Sequence, residues 1–515
     1  MSRQCRFIHM VGRIAKKVKN AMNEKSAAVS KEVLDIAENL NKAGYEAFLV
    51  GGCVRDILLR RVPKDWDIAT NAKPEEVQKI FTDSVYENDF GTVGIKTESE
   101  SPALKVIEVT TFRKEGRYTD KRHPDEIGFA KTIEEDLSRR DFTVNALALR
   151  LATSHEPLVT NIVDPFHGQK DLKAKVIRTV GKPEERFGED ALRLMRAVRF
   201  AAELDFDIET ETAATIKKHA GLLEMIAKER IRDEFVKMIM TKNAMAGVQA
   251  LEDYGMLKFI MPELREGVGV EQNLHHIYGV WEHNLRALDY AASKDYSLTV
   301  RLASLLHDVG KPRTKAGSGR NATFYAHEVV GAKMTPPILD RLHFSKKIIE
   351  DVTHLVRCHL FYYNVGEVTD AGVRRFINRV GIEYLDDLIR VREADRIGSG
   401  VPKAVPYKLR HLLFMVEKVR RDPVSPKMLA VKGDDVMKIL NIPPGPRVGW
   451  ILAALLEEVL DDPKKNTRED LETRIKELGK LSDAELKKIS EKARETKNEF
   501  ESDAEEEIKK RYYVK

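Results

Sequence analysis

The segment Phe48–Thr70, which reads FLVGGCVRDILLRRVPKDWDIAT, constrains the fold and the chemistry of this chain more than any other. An apolar run ending at Val50 meets Gly51-Gly52, and an amphipathic stretch follows. This order predicts a strand, a tight turn and the start of a helix. Backbone N–H groups of such a turn, the positive end of the helix and Arg55 would together bind a polyphosphate.

Two carboxylates follow this turn, because Asp65 and Asp67 flank Trp66. If the segment is extended, residues two apart point to the same face, and both carboxylates can bind one hard cation. Taken alone, a Gly-Gly pair usually marks only a turn, and an Asp-x-Asp pair is more often a solvated surface. Together, a phosphate cradle and a metal-binding carboxylate pair are typical of phosphoryl or nucleotidyl transfer.

Composition predicts a folded protein of several domains, because the chain has 515 residues and 42% hydrophobic content. The 87 Lys and Arg residues against 82 Asp and Glu give a net charge of +5, which permits nucleic-acid binding without requiring it. Cys5, Cys53 and Cys358 fit neither a disulfide framework nor a metal-ligand spacing, so we expect free thiols in a reducing compartment.

The chain lacks an apolar run near the ~18 residues that a membrane helix needs, so we expect a cytoplasmic protein without membrane association. The first acidic residue is Glu24, and six Lys and Arg residues precede it. Organelle-targeting peptides share that composition, but a plain basic extension is the interpretation that we favour.

Helical spacing of apolar residues predicts a helix from Ser30, and a second helix is expected over Lys73–Phe81 with Thr70 or Asn71 as its cap. Strands are expected within Gly91–Lys96 and Ala103–Phe112. In the second of these, Glu108 shares one face with Val106 and Thr110. Glu108 is therefore a candidate third carboxylate, with a surface glutamate on an edge strand as the alternative.

The charged residues 113–126 are expected to form a mobile loop over the substrate. Arg139–Thr143 then leads into Val144–Leu147, which is expected to start a helix capped by Asp141 or Thr143. The turn-rich residues 162–172 are expected to end the domain.

These motifs carry a family resemblance. GGCVRD, PKDWDIAT and RRDFTVNAL resemble the head-domain signatures of the tRNA nucleotidyltransferase and poly(A) polymerase family, a branch of the polymerase-β-like superfamily. The resemblance implies that Asp65 and Asp67 hold two Mg²⁺ ions. It also implies that Gly52, Arg55 and Arg140 bind the triphosphate of the incoming nucleotide.

A helix is expected over Glu189–Phe200, EDALRLMRAVRF, with Asp190, Arg193, Arg196 and Arg199 spaced three apart. Such a series turns about 60° per step around a helix, so its members face a wide arc. From composition alone, an ordinary helix with ion pairs such as Glu189 with Arg193 would be preferred. The segment resembles the neck signature of the same family, which implies that Asp190 and Arg193 read the incoming base, while Arg196 and Arg199 hold phosphates or the helix itself.

Histidines gather after Gly267, and imidazoles and carboxylates from successive helices can bind one or two divalent metals with open positions for water. The ordered set comprises His283, His307, Asp308, His327, His359 and Asp395. In their sequence context these residues resemble the HD phosphohydrolase superfamily, which implies a divalent metal such as Mn²⁺, Ni²⁺ or Fe²⁺. The alternative is a degenerate copy in which the histidines only pack.

The fold class implied is α+β: a polymerase-β-like nucleotidyltransferase head with a small mixed or antiparallel sheet, followed by an all-α neck, an HD-containing body and a tail. Expected boundaries are a basic extension to residue 30, a head over 31–172, a neck over 173–262, an HD domain over 263–400 and a tRNA-binding body and tail over 401–515. Residues 464–515 are charge-dense and are expected to form a solvated helix or a frayed tail without chemistry.

The resemblance implies a tRNA nucleotidyltransferase that adds CCA to the 3′ end of tRNA from CTP and ATP, with Mg²⁺ and with side chains as the template for base selection. A monomer or weak homodimer is expected. Addition of CC only, of A only or of poly(A) remains open within the family. Two other classes compete: an HD phosphohydrolase with a vestigial head, and a non-catalytic RNA-binding module. The complete head signatures argue against both.

Overall fold

The computed structural model describes residues 29–88, 91–115, 127–151, 162–273, 277–420 and 429–514. The basic extension with its targeting alternative, Cys5 and most of the predicted charged loop lie outside the described residues. The chain divides into two compact units, the first comprising Met1–Arg357 with Ile397–Gly400 and the second Cys358–Arg396 with Val401–Lys515. Cys53 and Cys358 are free thiols, as predicted.

A seven-stranded mixed sheet forms the centre of the first unit's N-terminal part, in the order β3-β4-β5-β2-β1-β8-β9. Its strands are β1 Ala47–Val50, β2 Asp67–Thr70, β3 Ser84–Asn88, β4 Thr92–Lys96, β5 Val106–Thr111, β8 Ala148–Arg150 and β9 Ile162–Val163. Strands β2 and β5 run parallel, whereas the other neighbours run antiparallel. The mixed sheet of the predicted head is therefore confirmed.

Short helices pack around this sheet: α1 Lys31–Lys42, α2 Gly52–Leu58, α3 Pro74–Ile80, α4 Ile133–Ser138 and α5 Gly168–Ala174. Phe48 and Phe112 meet in the core with ring centroids 6.0 Å apart, and Leu137 of α4 packs against them. The alternation predicted for β5 is confirmed, because Ile107, Val109 and Thr111 are buried. Glu108 lies on the opposite face, toward the cavity described below.

Two local predictions were wrong, and a third was wrong for its first three residues. The cap of α3 is Lys73, whose backbone N–H donates to Glu76, because Thr70 is already part of β2. The segment after Asp141 makes one 3₁₀ turn, Thr143–Asn145, and then enters β8 instead of a helix. The apolar run is buried, and β8, which follows it, pairs with the central strand β1. The charged loop begins as a strand, since β6 Arg113–Glu115 pairs with β7 Ile127–Phe129.

The remainder of the first unit is helical apart from the short parallel pair β10 Val176–Ile177 and β11 Asp207–Ile208. Its helices are α6 Pro183–Glu189, α7 Leu192–Leu204, α8 Thr210–His219, α9 Lys228–Ile239, α10 Ala244–Asp253, α11 Leu257–Ile260, α12 Pro262–Arg265, α13 Val280–Ser293, α14 Leu298–Leu306, α15 Lys311–Thr314, α16 His327–Asp340 and α17 Lys346–Cys358. The helix expected over Glu189–Phe200 is thus two helices that meet at Asp190.

The second unit contains α18 Asp370–Val380, α19 Leu385–Gly398, α20 Tyr407–Arg420, α21 Gly433–Leu440, α22 Pro446–Asp461, α23 Arg468–Leu478 and α24 Asp483–Tyr512. The helix predicted within residues 464–515 is confirmed by α23 and α24. The prediction that this segment is only solvated was wrong, because it contributes buried residues to the core that α22 forms, namely Leu471, Ile475, Leu478 and Leu486. Among the described helices, none is both long enough and apolar enough to cross a membrane.

Candidate active site

Three carboxylates meet at the edge shared by β2 and β5. Asp67 is the first residue of β2, and its Cα pairs with that of Glu108 in the parallel register. Asp65 lies in a bend two residues before the strand, outside the extended segment. All three side chains line one cavity of about 1610 Å³.

The electrostatics of this cluster favour a cation. Burial, together with the neighbouring charges of Asp65 and Glu108, raises the pKa of Asp67 to about 6, although the Arg140 guanidinium acts in the opposite direction. A divalent cation would offset the repulsion among three neighbouring carboxylates, one of which is difficult to ionise. Oxygen ligands are those that Mg²⁺ prefers. The residues present therefore fit a divalent metal.

The glycine turn approaches these carboxylates closely. Gly51 has φ +75°, and a Cβ atom there would lie 2.8 Å from Nη1 of Arg140 and 3.6 Å from Oδ2 of Asp67. Any side chain at this position would combine backbone strain with a clash. A Cβ atom at Gly52 would meet Arg55 at 3.6 Å and Asp65 at 3.8 Å. The turn thus places backbone beside the two arginines predicted to bind phosphate.

Arg55 and Arg140 are already held by protein groups. Arg55 is buried, and its guanidinium donates to Oδ1 of Asp56 at 2.9 Å and to Oδ1 of Asn145 at 2.9 Å. Arg140 Nη2 donates to Oδ2 of the buried Asp136 at 3.4 Å. Because α2 has only seven residues, its N-terminal end contributes little to the predicted phosphate site, and the arginines carry the positive charge.

Asp190 and Arg193 lie at the junction of α6 and α7, where the Arg193 backbone N–H donates to the Asp190 carbonyl at 3.0 Å. Oδ1 of Asp190 accepts from the Leu192 N–H at 3.0 Å, and Oδ2 accepts from Arg230 at 2.8 Å. Arg193 binds Glu189, the ion pair that composition alone favoured, and donates to the Arg139 carbonyl at 3.3 Å. Both predicted base readers line the cavity.

Arg196 and Arg199 surround the ring of Phe200. Their Cζ atoms lie 5.2 Å and 3.8 Å from its centroid, and Arg55 approaches to 5.5 Å. Arg196 donates to Asp141 at 2.7 Å, while Arg199 donates to Glu234 at 2.5 Å. These contacts support the interpretation that the two arginines hold the helix itself.

A second cluster, of histidines and an aspartate, lies in the segment that resembles the HD superfamily. Nε2 of His283 lies 2.8 Å from Nε2 of His307 and 3.0 Å from Oδ2 of Asp308, and Nε2 of His327 lies 3.3 Å from Oδ1 of Asp308. His307 and His327 direct Nδ1 at backbone carbonyls of Ser304 and Phe324, each at 2.8 Å. This leaves Nε2 as the ligand atom, which is the usual orientation at a metal.

Charge at this cluster is balanced by Lys311, whose Nζ lies 2.6 Å from Oδ2 of Asp308. Burial alone would raise the pKa of Asp308, but His307 and Lys311 outweigh it and hold the pKa well below its ordinary value. Asp308 is therefore ionised, as a metal ligand must be. His359 and Asp395 are buried residues of the second unit, and their part in this site stays a prediction.

Comparisons with known proteins agree with this arrangement. The Poly A polymerase head domain family matches residues 47–178, the probable RNA and SrmB-binding site of polymerase A matches 205–267, and the HD domain matches 275–398. A CCA-adding enzyme of Enterococcus faecalis is 33% identical over 86% of this chain and 94% of its own length. The chain belongs to the CCA-adding enzyme family of tRNA nucleotidyltransferases.

Two further proteins are similar to this chain. An A-adding tRNA nucleotidyltransferase of Deinococcus radiodurans is 38% identical over 63% of this nucleotidyltransferase and 75% of its own length. A crystal structure of the Bacillus stearothermophilus CCA-adding enzyme in complex with CTP is similar with a TM-score of 0.55 and 29% identity, over 87% of this chain and 96% of that one. The family uses divalent metal, which the head carboxylates fit.

Sequence reasoning missed Arg230, Asn145 and Phe200, each of which orients a predicted site residue. For Arg230 a signal was available, because Arg230 and Glu234 are four residues apart on one helix and share a face. One binds Asp190 and the other binds Arg199. Asn145 and Phe200 lie within the motifs RRDFTVNAL and EDALRLMRAVRF, but their spacing does not indicate which residues they contact.

Proposed function

We propose that this nucleotidyltransferase adds CCA to the 3′ end of tRNA from CTP and ATP. The observation that carries the proposal is that the carboxylates of Asp65, Asp67 and Glu108 line one cavity with Asp190 and Arg193. At about 1610 Å³ this cavity is larger than most small-ligand sites, so a nucleoside triphosphate and an RNA end fit together.

Transfer would be carried by the head residues. Asp65 and Asp67 would hold two Mg²⁺ ions, with Glu108 as the third carboxylate. When bound, Mg²⁺ would activate the terminal 3′-hydroxyl of the RNA and stabilise the pyrophosphate leaving group. The turn at Gly52, with Arg55 and Arg140, would bind the triphosphate.

Base selection would be carried by the neck residues. An aspartate that accepts and an arginine that donates can match the Watson–Crick edge of cytosine or adenine. Arg230 and Glu189 would hold Asp190 and Arg193 in place, because each forms an ion pair with one of them. Arg196 and Arg199 would fix α7 against Asp141 and Glu234.

The predicted domains follow from this assignment: a head over 31–172, a neck over 173–262, an HD domain over 263–400 and a helical tRNA-binding body and tail beyond. In the HD domain we propose a divalent metal such as Mn²⁺, Ni²⁺ or Fe²⁺, held by His283, His307, Asp308 and His327 with His359 and Asp395. This site would add a phosphohydrolase activity. A tRNA substrate agrees with the predicted cytoplasmic location.

The test is direct. Purified protein, tRNA lacking its 3′ CCA, Mg²⁺ and both CTP and ATP should give products whose added nucleotides read CCA. Asp65→Ala should abolish addition, whereas Asp35→Ala, an exposed aspartate of α1, should not. Robust extension by the Asp65→Ala protein would contradict the proposed site.

Three other outcomes would assign the alternative functions. Addition of A only to tRNA ending in CC, with no reaction on tRNA lacking all three nucleotides, would assign the A-adding specificity of the Deinococcus radiodurans relative. Hydrolysis of a 2′,3′-cyclic phosphate without nucleotide addition would assign the HD site as the main activity. Binding of tRNA with neither reaction would leave an RNA-binding module.

A further inference from the structure

The second unit contains a cavity that the proposed function does not use. It has a volume of about 330 Å³ and lies between the segment after α17 and the helices α18 and α20. Phe361, Tyr363, Phe376 and Leu412 form its apolar walls, with the rings of Phe361 and Phe376 5.0 Å apart. A cavity of this size suits one planar group and excludes a helix.

Tyr362 stands at the rim of this cavity, and 72% of its surface is exposed. Its hydroxyl donates to Glu367 at 2.5 Å and also contacts the amide of Asn364. Lys408 in turn binds Oδ1 of Asn364 at 2.5 Å. These contacts fix the orientation of the Tyr362 ring, so its face is exposed to solvent and needs no rearrangement when a ligand binds. An exposed and prepositioned aromatic face is a stacking platform.

Positive charge lies beside the platform. Arg375 and Arg379 line the cavity and are four residues apart on α18, so they share one face. Among the described residues, no carboxylate lies within ion-pair distance of either guanidinium. Aromatic rings flanked by such arginines match a nucleic acid better than an acidic or apolar peptide, because bases stack while phosphates accept from guanidinium.

We propose that this cavity binds one unpaired nucleobase of an RNA, stacked on Tyr362, with Arg375 and Arg379 at the neighbouring phosphates. The choice of RNA as occupant rests on the proposed function, since tRNA is the RNA that this chain would bring to the cavity. The site differs from the catalytic cavity in every residue, so it adds affinity for RNA without taking part in transfer.

The experiment measures the Kd of the full-length protein for a labelled tRNA transcript lacking CCA, across a series of salt concentrations. Tyr362→Ala should raise Kd about 5- to 150-fold, as for the loss of one stacked base, with an unchanged salt slope. The Arg375→Ala, Arg379→Ala double variant should lower the slope of log K against log salt by about 1.4, which is two single-strand phosphates.

Two matched variants control for indirect effects. Tyr362→Phe keeps the stacking face but loses the hydroxyl contacts that preposition it, so it should raise Kd by less than Tyr362→Ala does. Arg374→Ala removes an exposed arginine of the same helix that does not line the cavity, and should keep both Kd and slope. A wild-type Kd for Tyr362→Ala, or an equal loss for Tyr362→Phe or Arg374→Ala, would overturn the proposal.

Failure of this inference is distinguishable from failure of the proposed function. The binding assay contains no nucleotide and does not depend on catalysis, whereas nucleotide addition by the wild-type protein is measured separately. If the wild type extends tRNA and Tyr362→Ala binds tRNA normally, only the stacking site is wrong. Because Tyr362 is largely exposed, far-UV circular dichroism should show a folded variant.

Discussion

Asp67→Asn should make the metal-free protein more stable while it removes transfer. The pKa of Asp67 rises from its ordinary 3.8 to about 6, because the side chain is buried and faces Asp65 and Glu108. Such a difference corresponds to about 3 kcal/mol. Asparagine has nearly the same shape but cannot ionise, so it removes this penalty.

The sign of the pH dependence follows from proton binding. Between pH 3.8 and about 6 the folded state holds more protons at Asp67 than the unfolded state, so stability from this group falls as pH rises through that window. The gain from Asp67→Asn should therefore be largest at pH 8, near 3 kcal/mol as an upper limit, and shrink to about 1 kcal/mol at pH 4.5.

The assay is urea unfolding in the presence of a chelator, followed by the fluorescence of Trp66, which is buried between the two aspartates. Trp281 and Trp450 are replaced by Phe in all variants so that the signal reports on the head. Asp35→Asn, an exposed aspartate of α1, is the control. Added Mg²⁺ should stabilise the protein with Asp67 and have less effect on Asp67→Asn. Equal stability of Asp67→Asn and the control at pH 8, or a gain that does not change with pH, would refute the reasoning.

Three further predictions concern other parts of the first unit. Arg193→Ala should reduce discrimination among the four nucleotides about ten- to a hundredfold but keep metal-dependent transfer, because a charge-assisted hydrogen bond to the base is lost. Competition assays with all four nucleotides measure this discrimination. Arg301→Lys should lower the free energy of unfolding by at least about 2 kcal/mol, as measured in urea titrations. The reason is that Arg301 is fully buried and its guanidinium donates to three backbone carbonyls, those of Ile239, Thr241 and Tyr296. Asp308→Asn should reduce bound transition metal more than tenfold by elemental analysis, whereas nucleotide addition continues.

The head could be predicted from local motifs, because the structure of each motif depends mainly on residues that are neighbours in sequence. The turn at Gly51 requires φ > 0 and the alternation around Glu108 requires only a strand, and both are visible in the residues themselves. The register that places Glu108 beside Asp67 is different, because it pairs strands about 40 residues apart in parallel. A sequence indicates which face a residue occupies but not which strand lies beside it.

Tertiary burial overrode local preference where the predictions were wrong. Val144–Leu147 has an apolar pattern compatible with a helix, but these residues are buried in a 3₁₀ turn and a short connection to β8, which pairs with β1. The C-terminal segment has the charge density of a solvated tail, yet Leu471 and Ile475 recur at helical spacing and are buried. A short apolar run cannot distinguish a buried strand from a helix, and a few buried leucines are enough to fix a charged helix.

Three consecutive residues connect the carboxylate cluster with the helix proposed to select the base. The Arg139 carbonyl accepts from Arg193, Arg140 lies against Gly51 and lowers the pKa of Asp67, and Asp141 accepts from Arg196. Since neighbouring peptide units move together, the end of α7 that is proposed to read the base cannot shift relative to the carboxylates without breaking one of these contacts. This explains why a short polar segment between two domains forms a signature of its own. It also separates two kinds of substitution: a change at Asp67 or Arg193 affects one half of the reaction, whereas a change at Asp141 would displace α7 and reduce both transfer and selectivity.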